Sequence, residues 1–161
     1  MNSLKMDAFD AFHHGWALLT AGNREHFNSM TVSWGGVGCL WNRSVATVYV
    51  RPSRYTWEFM EAQDHFTISF YPKECKPALA LLGKESGRDG DKIAKSGLTP
   101  VPFGDGVTFS EAKTTLLCKK LYWQDMDPAN IPEEVKARFY GEGETFHRLY
   151  IGEVIAMKTA E

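Results

Sequence analysis

Ser44-Val45-Ala46-Thr47-Val48-Tyr49-Val50, running straight into Arg51-Pro52-Ser53-Arg54-Tyr55-Thr56, decides how the rest of this sequence is read. The first half is rich in β-branched and aromatic side chains and predicts a strand, and Pro52 stops it. Helical spacing begins just beyond, over residues 56–62, where Phe59 and Met60 share a face with Thr56. Similar short apolar runs, punctuated by Gly, Pro and Asn, predict strands at Trp16–Thr20, Ser29–Val37, His65–Phe70, Thr114–Trp123 and Phe146–Lys158. Helices are predicted at Pro77–Leu82, where Ala78, Leu79, Leu81 and Leu82 are available for burial, and at Pro132–Phe139, which opens on proline. A further short helix starts at the N-cap Asp91 and stops at Gly97. No strand is followed regularly by a long helix, so a doubly wound parallel sheet is excluded. The pattern predicts a mainly β chain, an antiparallel barrel or sandwich with a few short helices, in which Gly83–Gly90 and Pro100–Gly106 are polar loops.

With 161 residues, the chain is expected to form a single domain, 1–161. Its 18 Lys and Arg against 20 Asp and Glu give a net charge of −2, without the broad positive field that duplex nucleic acid or an anionic bilayer attracts. No window has the continuous apolar character of a membrane span, and the N-terminal residues lack a secretory h-region. Cys39, Cys75 and Cys118 are odd in number and widely spaced, which fits neither a disulfide framework nor a CxxC site. A reducing, cytoplasmic setting is expected, with neither nucleic acid nor membrane as partner.

Three stretches carry candidate chemistry. In 51–56, two guanidiniums (Arg51, Arg54), two hydroxyls (Ser53, Thr56) and a helix N-terminus meet, the combination a phosphate monoester needs. The same residues also suit a plain helix cap with its arginines paired to surface carboxylates. In Asn28–Gly38, alternation places Thr31, Ser33 and Gly35 on one face and Met30, Val32 and Trp34 on the other. Small polar groups beside glycines suit a flat heteroaromatic ring, or an ordinary barrel strand with a Gly-rich exit. Gly35-Gly36-Val37-Gly38 does not match GxGxxG. In Lys84–Lys92, a calcium loop fails because the ligand alternation is absent; Ser86, Arg88 and Lys92 suit an anion or a solvated loop.

No metal site is expected. None of His13, His14, His26, His65 and His147 forms an i, i+4 pair around a glutamate. GxSxG is missing, which argues against hydrolysis. His147 opens the last predicted strand, where it suits either a structural position or a barrel rim facing a ligand.

Taken together, NSMTVSWGGVG (28–38), LWNRSVATVYVRPSRYT (40–56), LLGKESGRDGDKIAKSGLTP (81–100) and HRLYIGEV (147–154) resemble the flavin reductase-like, FMN-binding split-barrel family, in particular its flavoredoxin-like branch. The resemblance implies a homodimer of six-stranded antiparallel Greek-key barrels with FMN at or near the subunit interface. It implies that Arg51, Ser53, Arg54 and Thr56 hold the FMN phosphate. Met30, Thr31, Ser33 and Trp34, preceded by Asn28, would lie along the isoalloxazine, partly through backbone groups. Ser86, Arg88 and Lys92 match an SGRDxDK loop that closes over the cofactor, and His147 matches a histidine of the final strand and is the one candidate for a catalytic role. Relatives more often carry Asn-Thr before the methionine; here Ser29 keeps the hydroxyl. The implied function is an FMN-dependent oxidoreductase that takes hydride from NAD(P)H and passes electrons to free flavin or another acceptor. An FMN electron-transfer protein reduced by a protein donor, and a flavin-free ligand-binding barrel, are the alternatives.

Overall fold

The computed structural model of the protein describes residues 3–161. Its main sheet is antiparallel, in the order β2-β1-β5-β8-β9-β4-β3. The strands are β1 (Ala17–Gly22), β2 (Phe27–Val32), β3 (Gly35–Leu40), β4 (Arg43–Val50), β5 (His65–Phe70), β8 (Thr114–Asp125) and β9 (Arg148–Thr159). A separate hairpin pairs β6 (Pro100–Phe103) with β7 (Gly106–Phe109). The helices are α1 (Ala8–Asp10), α2 (Tyr55–Ala62), α3 (Lys76–Lys84), α4 (Lys92–Ser96) and α5 (Glu133–Phe139). No helix among the described residues is long and apolar enough to cross a membrane.

Two departures from the sequence reading affect the site. The expected strand Ser29–Val37 is two strands, β2 and β3, separated at Ser33-Trp34, so the main sheet has seven strands instead of six. The break lets both ends of the sheet belong to one continuous stretch of chain, and Trp34 leaves the face of Met30 and Val32, ending 42% exposed. The expected loop Pro100–Gly106 instead forms β6 and the start of β7. A two-stranded ribbon tolerates Pro100 and Pro102 because few of its amides need ladder partners.

The core explains why β1 and β5 are covered on both faces. Leu19, Phe66 and Ile68 point into the larger apolar cluster with Val48, Met60 and Leu116, whereas Leu18 joins Leu79, Leu82 and Phe109 in a second one. Between Thr67, Ser69 and the hairpin the contact is polar: Thr67 donates to the Val107 carbonyl at 2.6 Å, and Ser69 bonds Thr108 at 2.8 Å. The outer face of the sheet thus anchors α3 and the hairpin, and α3 forms one side of the candidate site.

Candidate functional site

The turn after β4 places Arg54 at the N-cap of α2, where no side chain caps the first turn. Helix N-terminal amides left without a side-chain acceptor attract an anion. Thr56 is buried on α2, and its Oγ1 accepts from Asn28 Nδ2 at 2.8 Å, so β2 and the turn are held in register. Arg54 reaches across to α3 and donates to the Gly83 carbonyl at 3.1 Å. Facing the turn, Arg88 donates to the Ser53 carbonyl at 3.1 Å and stacks on Tyr55, 4.9 Å from the ring centre, while Ser86 Oγ accepts from the Arg88 amide. Lys92, at the start of α4, is buried and donates to the carbonyls of Leu82 (2.9 Å) and Glu85 (3.1 Å). A cavity of about 180 Å³ lies between the turn and this loop. Gly87 sits where a Cβ would press on the Asn28 side chain and lie 2.9 Å from the Tyr55 ring, so the loop can approach this closely only with glycine.

The charges around this cavity are unbalanced. Burial, and then Arg54, push the Lys92 ammonium down to about 8, against a weaker opposing pull from Glu85. Burial, and then Arg51, push the Arg54 guanidinium below its ordinary value. The hydrogen bonds of both cations go to backbone carbonyls. Two desolvated cations, hydroxyls at Ser53 and Thr56 and a helix N-terminus make a donor set that fits a phosphate monoester, since a dianion would relieve the repulsion and satisfy the donors.

Lys84 borders this cavity and a second, open groove of about 330 Å³ lined by Trp16, Thr31, Ser33, Leu79, Ala80 and Gly83. Thr31 Oγ1 donates to the Leu79 carbonyl, which fixes β2 against α3. A Cβ on Gly83 would stand 3.0 Å from Thr31, so the two walls are as close as glycine allows. Trp16 has φ of 64°, a conformation strained for a tryptophan, and Lys76 lies 4.1 Å over its ring and donates to the His14 carbonyl. The groove is aromatic at Trp16, apolar along Leu79 and Ala80, and polar along Thr31 and Ser33. It fits a planar heteroaromatic joined to a phosphate in the neighbouring cavity.

The structure brings Asn28, Ser53, Arg54, Thr56, Ser86 and Lys92 to the first cavity, and Thr31 and Ser33 to the groove. Arg88 closes the rim through Ser53 and lies 3.5 Å from Glu58. Met30 is buried in the core, so its side chain lines neither space. Arg51 turns away: its Nη1 donates to Glu144 at 2.7 Å, its Nη2 to the Phe139 carbonyl at 2.6 Å, and it packs over Tyr140 at 4.9 Å. Arg51 thus makes the surface ion pair that is the other reading of these arginines, and it does not line the small cavity.

Trp34 and His147 meet elsewhere, their rings 5.2 Å apart, beside a third cavity of about 350 Å³. His147 is buried, shares a 2.5 Å hydrogen bond at Nδ1 with the Tyr140 hydroxyl, and is pushed down to about 4 by burial and then by Arg51, so it is neutral at pH 7. Sequence reasoning missed Trp16, Gly83 and Lys84. Gly83 and Lys84 belong to the last turn of α3, not to a loop, and Trp16 lies just ahead of β1. Ala11–Gly15 forms a π-helical turn for which the sequence carries no local signal, and Trp16 follows directly after it. No group of three or more His, Cys, Asp or Glu residues that could hold a metal ion occurs among the described residues.

The fold agrees with comparison to known proteins. The chain belongs to the flavin reductase like domain family, whose model matches residues 9–161. No curated protein matches the sequence. Among solved structures, the flavoredoxin of Desulfovibrio vulgaris (Miyazaki F) is 24% identical with a TM-score of 0.71, covering 100% of this chain and 77% of that one. The FMN-binding protein from Thermus thermophilus crystallised with 1-cyclohex-2-enone is 21% identical with a TM-score of 0.70, covering 99% of this chain and 80% of that one. Component B of nitrilotriacetate monooxygenase from Bacillus cereus is 16% identical with a TM-score of 0.71, over 91% of this chain and 69% of that one. These likenesses establish a mainly β, antiparallel split barrel with short flanking helices.

Proposed function

We propose that the protein binds FMN and works as an oxidoreductase, accepting hydride from NAD(P)H and passing electrons to free flavin or another acceptor. The observation that carries this reading is the cation pair Arg54 and Lys92, desolvated and bonded to backbone carbonyls, beside an uncapped helix N-terminus and next to the open groove that Trp16, Thr31 and Ser33 line. FMN has this shape: an anionic tail and a planar ring that supplies two-electron and one-electron chemistry when bound. In this assignment Arg54, Ser53, Thr56 and Lys92 hold the phosphate, and Ser86 and Arg88 close the loop over it. Thr31 and Ser33 lie along the ring, with Trp16 and Lys84 as its further neighbours. Cations and backbone amides near the ring favour its reduced, anionic state. Ser33 also borders a broad groove of about 820 Å³ lined by Phe12, His13, His14 and Trp34. That groove gives a nicotinamide room to approach, which favours the reductase over an electron carrier served only by a protein donor.

The protein is proposed to act as a cytoplasmic homodimer. Phe9, 91% exposed on α1, and Trp41, 62% exposed after the edge strand β3, are large apolar groups left in solvent near an unpaired sheet edge, which supports a second copy pairing there. Anaerobic stopped-flow mixing of the FMN-loaded protein with NADH and with NADPH tests the reaction. Bleaching of the flavin within seconds by either nucleotide is expected. No bleaching by either, with reduction by a protein donor intact, assigns the electron-carrier role instead, and failure to retain FMN or quench its fluorescence assigns a flavin-free barrel.

A further inference from the structure

Trp16 holds a backbone conformation, φ 64° and ψ 161°, that is almost confined to glycine. Such a conformation is costly for a bulky residue and lasts only where the surroundings enforce it. Two contacts do so here. The indole packs against the cluster of Leu18, Leu79 and Leu82 on the outer side of the sheet. From the first residue of α3, the Lys76 ammonium lies 4.1 Å over the indole and donates to the His14 carbonyl, two residues ahead of the tryptophan. The register Ala17↔Val32 sets Trp16 level with Ser33, just past the end of β2, so the clamped indole stands at the mouth of the ring groove.

The charge of this clamp is not neutralised by its partners, since a ring and a carbonyl are both uncharged. Trp16 lines the groove and Lys76 does not, so the indole stands between the ammonium and the space for a ring. A cation held against an aromatic face is partly desolvated, and its field is screened less through the indole than through water.

We propose that Lys76 is a positioning residue that acts through Trp16: it fixes the indole as a wall of the flavin groove and sets a positive charge behind it that favours the reduced flavin. This inference rests on the FMN reading and goes beyond it, because Arg54 and Lys92 serve the phosphate whereas Lys76 serves the ring. Reduction by two electrons and one proton leaves one net negative charge on the ring, and the ammonium attracts that charge. The oxidised ring is uncharged and offers it little. Lys76 therefore discriminates between the two redox states and contributes little to affinity for oxidised FMN.

The test is a spectroelectrochemical titration at pH 8 of the FMN-loaded wild type, Lys76→Met, Lys76→Gln, Lys76→Arg, Trp16→Leu and the double variant Trp16→Leu/Lys76→Met. The Kd for oxidised FMN and the Tm are measured on each. In both neutral variants the Kd for oxidised FMN should stay within about threefold, while the preference for reduced over oxidised FMN falls about tenfold, which lowers the two-electron midpoint potential by about 30 mV. Lys76→Arg keeps a cation over the ring and should restore most of this loss. In Trp16→Leu no ring holds the ammonium, so adding Lys76→Met should shift the potential by less than about a third as much. A lysine that only supports the fold would lower the Tm and leave the potential alone. An unchanged midpoint in the neutral variants, no rescue by arginine, or a full-sized shift in the Trp16→Leu background would each overturn this inference while the FMN reading stands. Failure of the wild type to bind FMN would overturn both.

Discussion

Arg54 and Arg51 are three positions apart in one turn, yet the fold gives them opposite tasks. Arg54 faces the small cavity with a carbonyl as its protein partner, and Arg51 is already matched by Glu144. Arg54→Ala is therefore expected to weaken FMN binding by about 1.5–3 kcal/mol, as loss of a charge-assisted hydrogen bond does, and Arg51→Ala and Lys84→Ala by clearly less. Fluorescence titration of the three variants checks the order, and equal losses would show that Arg54 is not the phosphate ligand. Lys92 gives a prediction with a definite sign. Its folded value near 8 lies below the ordinary 10.5, so between these values the unfolded chain holds a proton that the flavin-free fold has released. Stability of the flavin-free protein contributed by Lys92 thus rises with pH across that window. A bound phosphate dianion restores the charge, so FMN binding near pH 9 should take up protons. Calorimetry in two buffers of different ionisation enthalpy measures this. Proton release, or an unchanged uptake in Lys92→Gln, would contradict it.

At the scale of elements, much was legible where local chemistry decides the outcome. His65–Phe70 is β5 with the expected bounds, and the short helix after Asp91 is capped by the Asp91 carboxylate and ended by Gly97 at φ of 76°. The break at Ser33-Trp34 was hidden because alternation of apolar and polar residues continues through it. Arg51 with Glu144 was out of reach because the partners are 93 residues apart and meet only when the segment after α5 folds back over the β4–α2 turn. Within the sheet, the tight crossing of β9 over its neighbours depends on Gly152, where a Cβ would stand 2.7 Å from the Phe66 ring and 2.9 Å from Cys118. Gly152→Ala should destabilise the protein by about 1–3 kcal/mol through overpacking. Thermal unfolding reads this as a lowered Tm, and an unchanged Tm would show that β8 and β9 can separate freely there.

Across the whole molecule, the proposed ligand touches four parts of the chain that are already bonded to one another, β2, the β4–α2 turn, the end of α3 and the start of α4. A ligand that binds only the folded form stabilises it by mass action, so at 100 times its Kd FMN should add about 2.7 kcal/mol and raise Tm. Riboflavin, which has the same ring and no phosphate, separates the two halves of the site. The most direct measurement compares calorimetric affinities of FMN and riboflavin for flavin-stripped wild type and Arg54→Ala. If the cations beside α2 grip the phosphate, the wild type binds FMN about 100-fold more tightly than riboflavin, and most of that margin disappears in the variant. Equal affinity for the two flavins in the wild type would contradict the account.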